Sequence, residues 1–261
     1  MAASTAAAAS SPPSGTEVVL TPQTTEGPYY FDAKQVRADI TEGFPGIPLD
    51  VEFHVVDQAG APLAQARVDL WHCNAAGVYS GYAGQGDDRQ VSTEGQTFLR
   101  GTQATDAAGR VAFHSIYPGW YRGRTTHIHF KVILGETHAL TSQFTLPDAL
   151  NEFLYTELDA YKRASLRDTL NSNDGIALQA GERLHGSVRE NADRYLVTLA
   201  VAVDREAKPV IDRPSAPGQG KPPGPPPGMQ GPPGAAGSGG GPMQPASLTG
   251  AQRISALVPK K

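Results

Sequence analysis

Pro118-Gly119-Trp120-Tyr121-Arg122-Gly123-Arg124-Thr125-Thr126-His127-Ile128-His129 runs straight on into Phe130-Lys131-Val132-Ile133-Leu134. The Pro-Gly pair marks a turn, and the run after it alternates. On a β-strand, alternate side chains share a face. Ile128, Phe130 and Val132 therefore face a core, while His127 and His129 point the other way together. Two imidazoles on one strand face make a natural metal pair. Structural or surface histidines give the same pattern, so the pair alone does not decide.

Working outward, the chain keeps the strand period. Leu49 to Asp57, Ala66 to Trp71, His127 to Leu134, Thr141 to Leu146 and Tyr195 to Val203 all read as strands. Asp106-Ala107-Ala108-Gly109 turns the chain into a further strand at Val111 and Phe113. A helix capped by an aspartate is predicted from Pro147-Asp148 through Leu150, Phe153, Leu154 and Tyr161. Many short strands with Gly/Pro turns imply a mainly β chain: an antiparallel β-sandwich with short helical excursions. The polar, glycine-rich stretch from Ser80 to Leu99 is long for a loop without a task.

The chain has 261 residues, 39% of them hydrophobic, enough for one substantial core. Residues 1–20 are Ala/Ser/Pro-rich and lack a basic, apolar signal sequence. They resemble the spacer that follows a cleavage site, so an exported mature form and a cytoplasmic protein both stay open. Residues 21–205 carry the periodic pattern and all seven histidines. Residues 206–261 turn Pro/Gly-rich, and both ends are expected to be disordered. A formal net charge of −4 gives no electrostatic case for nucleic acid. No apolar run is long enough for a helical membrane span. The single Cys73 excludes an internal disulfide framework and a cysteine-rich zinc site, and reads as a buried small hydrophobe.

The metal shell needs more donors than two imidazoles. Glu136 has the wrong spacing from His129, and a cupin-type glutamate is missing. Tyr121 is a better candidate: a hard trivalent cation can displace a phenolic proton. Two phenolates and two neutral imidazoles suit Fe(III), with the second phenol among Tyr29, Tyr30, Tyr79, Tyr82 and Tyr117.

Several segments in order are similar to the intradiol ring-cleavage dioxygenases, especially protocatechuate 3,4-dioxygenase-like members. They are Thr25-Glu26-Gly27-Pro28-Tyr29-Tyr30, Trp71-His72-Cys73-Asn74-Ala75-Ala76-Gly77-Val78-Tyr79, Tyr117-Pro118-Gly119-Trp120-Tyr121, Arg124 with His127-Ile128-His129, and Gln143-Phe144. The resemblance implies Tyr79, Tyr121, His127 and His129 as Fe(III) ligands. It gives catalytic roles to Tyr121, to Arg124 as stabiliser of charge on the ring, and to Gln143 near the oxygen pocket. The implied reaction opens a catechol with O2 between its hydroxyl-bearing carbons, giving a cis,cis-muconate-type diacid. The link from Arg122 to Thr126 is shorter than in protocatechuate enzymes, which leaves the catechol unnamed. A monomer and a homodimer are both compatible with four ligands in one chain. Tyr29 and Tyr30 read equally as packing or pocket wall, and His54, His72, His114, His138 and His185 as structural or surface groups. Arg122 reads as a solvated charge or a carboxylate-binding rim residue. The alternatives are a non-catalytic transthyretin-like or adhesin-like binding module and a zinc hydrolase built on the two histidines.

Overall fold

A computed structural model describes residues 18–206. The leader and the Pro/Gly-rich tail lie almost wholly outside the described residues. Eight strands and two short helices follow in order: β1 (Pro48–Asp57), β2 (Arg67–Trp71), β3 (Arg100–Ala104), β4 (Arg110–Ile116), β5 (His127–Leu134), β6 (Thr137–Thr145), α1 (Asp148–Glu157), α2 (Gly175–Ala180), β7 (Ser187–Asn191) and β8 (Arg194–Val203).

The strands form two four-stranded sheets, ordered β4-β1-β8-β7 and β3-β2-β5-β6. Leu49, Val51, Phe53, Phe113, Val197, Leu199 and Val201 face inward from the first sheet. Val68, Leu70, Ile128, Phe130, Val132 and Phe144 meet them from the second. Phe53 lies 5.1 Å from Phe130, ring centre to ring centre, in the middle of this core. Each such fully buried side chain contributes about 1.5–3 kcal/mol of hydrophobic stabilisation.

The pairings are antiparallel except β1 with β8, which run parallel. The sequence pattern gave no sign of β3 and β7, Arg-Gly-Thr-Gln-Ala and Ser-Val-Arg-Glu-Asn. Both are edge strands, and β7 is mostly solvent-facing, so alternation is absent. β6 begins at Thr137, ahead of the expected Thr141, and α1 ends at Glu157 rather than reaching Tyr161. The capping aspartate is corrected too: the N-cap position is Pro147, and Asp148 is already helical. Its carboxylate instead binds Arg167 and accepts from the Asn171 amide at 2.9 Å.

Candidate metal centre

The outer face of the second sheet is where the chemistry collects. Cross-strand register places Arg100, Trp71, His129 and Gln143 in one row across β3, β2, β5 and β6. That alignment follows from strand pairing alone. Trp71 stacks on His129, ring centres 4.9 Å apart. His127 stands two residues along β5 on the same face, as the alternation requires. Both histidines are buried, at 2% and 3% exposure.

Two turns deliver the phenols. Tyr121 Oη lies 3.0 Å from His127 Nε2, and Tyr79 Oη lies 3.5 Å from the same atom. His127 Nε2 and His129 Nε2 are 3.1 Å apart. Four donor atoms from three chain segments thus converge. His127 Nδ1 lies 2.6 Å from the Thr125 carbonyl, which can only accept. The ring proton therefore sits on Nδ1, and the Nε2 lone pair faces the cluster. Among the described residues, no group of three His, Cys, Asp or Glu side chains is placed to hold a metal ion. The donor set is two imidazoles with two phenols, the chemistry that suits a hard trivalent cation.

Burial shapes the protonation of this set. Desolvation, followed by the Arg124 charge, holds His127 well below the usual histidine range. Desolvation, then His127 and Arg124, does the same to His129. Both rings are therefore neutral, as metal ligation demands. Desolvation also pushes Tyr79 well above the ordinary phenol range and Tyr121 up to about 12. Without a cation both phenols keep their protons, and a bound cation reverses that preference.

The Ser80–Leu99 loop has its task in holding Tyr79. Gln85 Oε1 accepts from the Tyr79 amide at 3.1 Å, and Thr93 Oγ1 donates to the Tyr79 carbonyl at 2.6 Å. Arg100 grips the next residue, donating from Nε to Ser80 Oγ at 2.7 Å and from Nη2 to Ser80 O at 2.8 Å. The Tyr121 turn packs directly on the Asn74–Gly77 turn. Gly119 N donates to Asn74 O at 3.0 Å.

Arg124 joins the cluster from the other side. Its Nη1 is 3.5 Å from His127 Nε2, and its Nη2 donates to Gln143 Oε1. Gln143 Nε2 in turn donates to Thr24 Oγ1 and Thr25 O at 3.4 and 3.3 Å. The six residues expected at the site therefore stand together.

A family model described as dioxygenase matches residues 25–158, just over half of the chain. The chain belongs to the intradiol ring-cleavage dioxygenase family. It is 26% identical to catechol 1,2-dioxygenase of Acinetobacter baylyi, over 74% of this chain and 67% of the relative. It is 29% identical to catechol 1,2-dioxygenase 1 of Acinetobacter lwoffii, over 52% of this chain and 50% of that one. The chain thus spans about half to two thirds of the length of these curated relatives. Among solved structures, an intradiol ring-cleavage dioxygenase from Tetranychus urticae superposes with a TM-score of 0.67 at 27% identity. That match covers 73% of this chain and 97% of the other.

The remaining tyrosines and histidines of this intradiol family member divide cleanly. Tyr29 stacks on Tyr79 at 4.7 Å between ring centres, so it borders the cluster. Tyr30 is buried packing, its hydroxyl donating to Asp69 Oδ2 at 2.8 Å. Tyr82 donates to Tyr30 O at 2.9 Å, and Tyr117 donates to Asn151 Oδ1 at 2.7 Å within the core. His72 is fully buried between Cys73 O and Ser115 Oγ, and His114 pairs with Asp50. Cys73 is buried, and desolvation pushes its thiol up to about 12. Arg122 is half exposed, 3.8 Å from Asp87.

Sequence reasoning missed Asp174 and Glu26. Asp174 is visible in sequence only as an aspartate ahead of Gly175-Ile176-Ala177, a helix cap. Its second oxygen reaches Arg124, fifty residues away along the chain. Glu26 lies inside a quoted motif, but nothing in the motif announces its buried ion pair with Lys131.

Proposed function

We propose that this family member cleaves the ring of a catechol with O2 between its two hydroxyl-bearing carbons, giving a cis,cis-muconate-type diacid. Ferric iron would be held by Tyr79, Tyr121, His127 and His129. The observation that carries this reading is the convergence of two phenol oxygens and the His129 Nε2 on His127 Nε2, at 3.0–3.5 Å. When bound, ferric iron supplies Lewis acidity toward the catechol oxygens.

The chain's own residues supply the rest. The Thr125 carbonyl keeps His127 in the tautomer whose Nε2 is free to bind. Tyr121, partly exposed, holds or takes a proton at Oη, acting as base toward a catechol hydroxyl once ionised. The Arg124 guanidinium faces the cluster and stabilises negative charge developing on the ring. Gln143 steadies Arg124 and ties the Thr24–Thr25 segment over the face. Tyr29 and Gly27 cover Tyr79 and His129 and limit water there. A non-catalytic sandwich module has no use for four converging donors.

The test is iron content, visible spectrum and oxygen uptake on a panel of catechol, protocatechuate, hydroxyquinol and aryl catechols. A ferric-phenolate protein is red-brown and consumes O2 as ring absorbance falls. A colourless protein holding stoichiometric zinc, inert to every catechol, sinks the reading. Tyr79→Phe is expected to bleach or shift the visible band, and a purely structural Tyr79 would leave it in place.

A further inference from the structure

We infer that Asp174 is a positioning residue that aims the Arg124 guanidinium at the reacting ring. The inference rests on the catechol-cleaving reading above. Asp174 is 2% exposed and uses both carboxylate oxygens. Oδ2 accepts from Arg124 Nε and from the Thr125 amide, each at 2.8 Å. Oδ1 accepts from the Ile176 and Ala177 amides at 2.9 and 3.0 Å, capping α2. One carboxylate therefore fixes a helix start and the arginine together.

The guanidinium is a planar fork whose edges can be assigned one by one. Nε is taken by Asp174 and Nη2 by Gln143, so Nη1 is the group left facing His127. A free arginine side chain would sample many rotamers, and two fixed anchors remove that freedom. The ion pair is shielded, with side-chain exposures of 17% for Arg124 and 1% for Asp174.

The same segment shapes the whole short link between Tyr121 and His127. Asp168 Oδ1 accepts from the Gly123 amide at 3.0 Å, and Thr125 Oγ1 donates to Asn171 Oδ1 at 2.6 Å. Gly123, Arg124 and Thr125 are thus each held from residues 168–174. The link is held from outside by this segment.

A double-mutant cycle tests the inference on the iron-loaded protein. Asp174→Asn is expected to lower kcat about 10- to 100-fold with KM changed less than about threefold, the scale of a misaimed catalytic group. In an Arg124→Gln background the same change is expected to cost less than about twofold, because its target is gone. Asp174→Ser, which keeps a capping oxygen but withdraws from Arg124, is expected to repeat the kcat loss. Leu178→Gly, which weakens α2 at an exposed position, is expected to lower Tm and leave kcat unchanged. Equal losses for Asp174→Asn in both backgrounds, or a kcat loss reproduced by Leu178→Gly, would overturn the positioning role. Wild-type protein that turns over no catechol overturns the proposed function, and the inference falls with it. Turnover in the wild type with an additive cycle overturns the inference alone.

Discussion

His127 and His129 share a strand face, yet their second nitrogens differ. His127 Nδ1 has the Thr125 carbonyl, whereas His129 Nδ1 is buried without a hydrogen-bond partner among the described residues. The identity of the pair was legible in the sequence because a period of two is a local property. Its hydrogen bonding was not, because Thr125 presents only a backbone carbonyl. His72 shows the opposite case, an imidazole whose role is structural. Desolvation, opposed by its bond to Cys73 O, lowers its pKa from 6.5 to about 4. Between those two values the unfolded chain binds a proton at His72 and the folded chain does not. Stability therefore falls as pH drops through that window, and the loss from this group is complete below about pH 4. Its size is on the order of 3 kcal/mol. His72→Phe is expected to be less stable at pH 7, since Ser115 Oγ and Cys73 O lose their partner. Its urea midpoint should then decline less steeply than the wild type's from pH 6.5 to pH 4. Parallel declines would remove His72 from the account of acid sensitivity.

At the scale of elements, the central strands and the edge strands β4 and β6 could be read from the sequence, and the edge strands β3 and β7 could not. Apolar alternation appears where one face is buried: β4 buries Val111 and Phe113, whereas β3 carries no large apolar side chain and β7 is mostly exposed. The site is a similar case: β5 announced itself, while the turns that bring Tyr79 and Tyr121 to it showed only as motifs. Their interlock depends on two glycines. A Cβ at Gly77 (φ +78°) would collide with the Trp120 carbonyl, and one at Gly119 would collide with the Ala75 carbonyl. Backbone meets backbone at these points, so neither turn has a flexible side chain to yield. Gly119→Ala is therefore expected to cost about 1–3 kcal/mol as an overpacking change. It should also move Tyr121 relative to Tyr79, shifting the visible band of the iron-loaded protein. Gly43→Ala is the control: φ is +74° there, but nothing lies within 4 Å of the new methyl group. It is expected to cost only about 1 kcal/mol of backbone strain and to leave the band alone. A Gly119→Ala protein with an unshifted band would mean that the interlock does not set the phenol spacing.

Across the whole molecule, the segment ahead of β1 ties the two sheets together and roofs the site. Thr21 N donates to Ala202 O at 2.9 Å on the first sheet, and Thr24 N donates to Thr141 O at 3.0 Å on the second. Ser142 Oγ donates to Pro22 O at 2.7 Å, and Gln143 reaches Thr24 and Thr25. The segment is then pinned by Glu26 to Lys131, which lies on the same outward face of β5 as His127 and His129. Both side chains are 3% exposed, and Lys131 Nζ lies 3.9 Å from the centre of the Tyr30 ring. Removing one partner of such a pair strands a buried charge, at a cost of about 3–5 kcal/mol, whereas replacing both by apolar groups costs far less. Lys131→Met is accordingly expected to lower the urea midpoint more than Lys131→Met with Glu26→Met. In the single variant the strap should also loosen, so amide exchange at Thr21 and Thr24 should accelerate before exchange in the sandwich core does. Equal destabilisation of the single and double variants would show that Glu26 is held by its other contacts, with Lys131 incidental. The strap and the donor cluster share a face, so loosening should reach the site through Gln143, and Arg124 would lose one of its two anchors. Catechol turnover in Lys131→Met should then fall while iron content stays at the wild-type level.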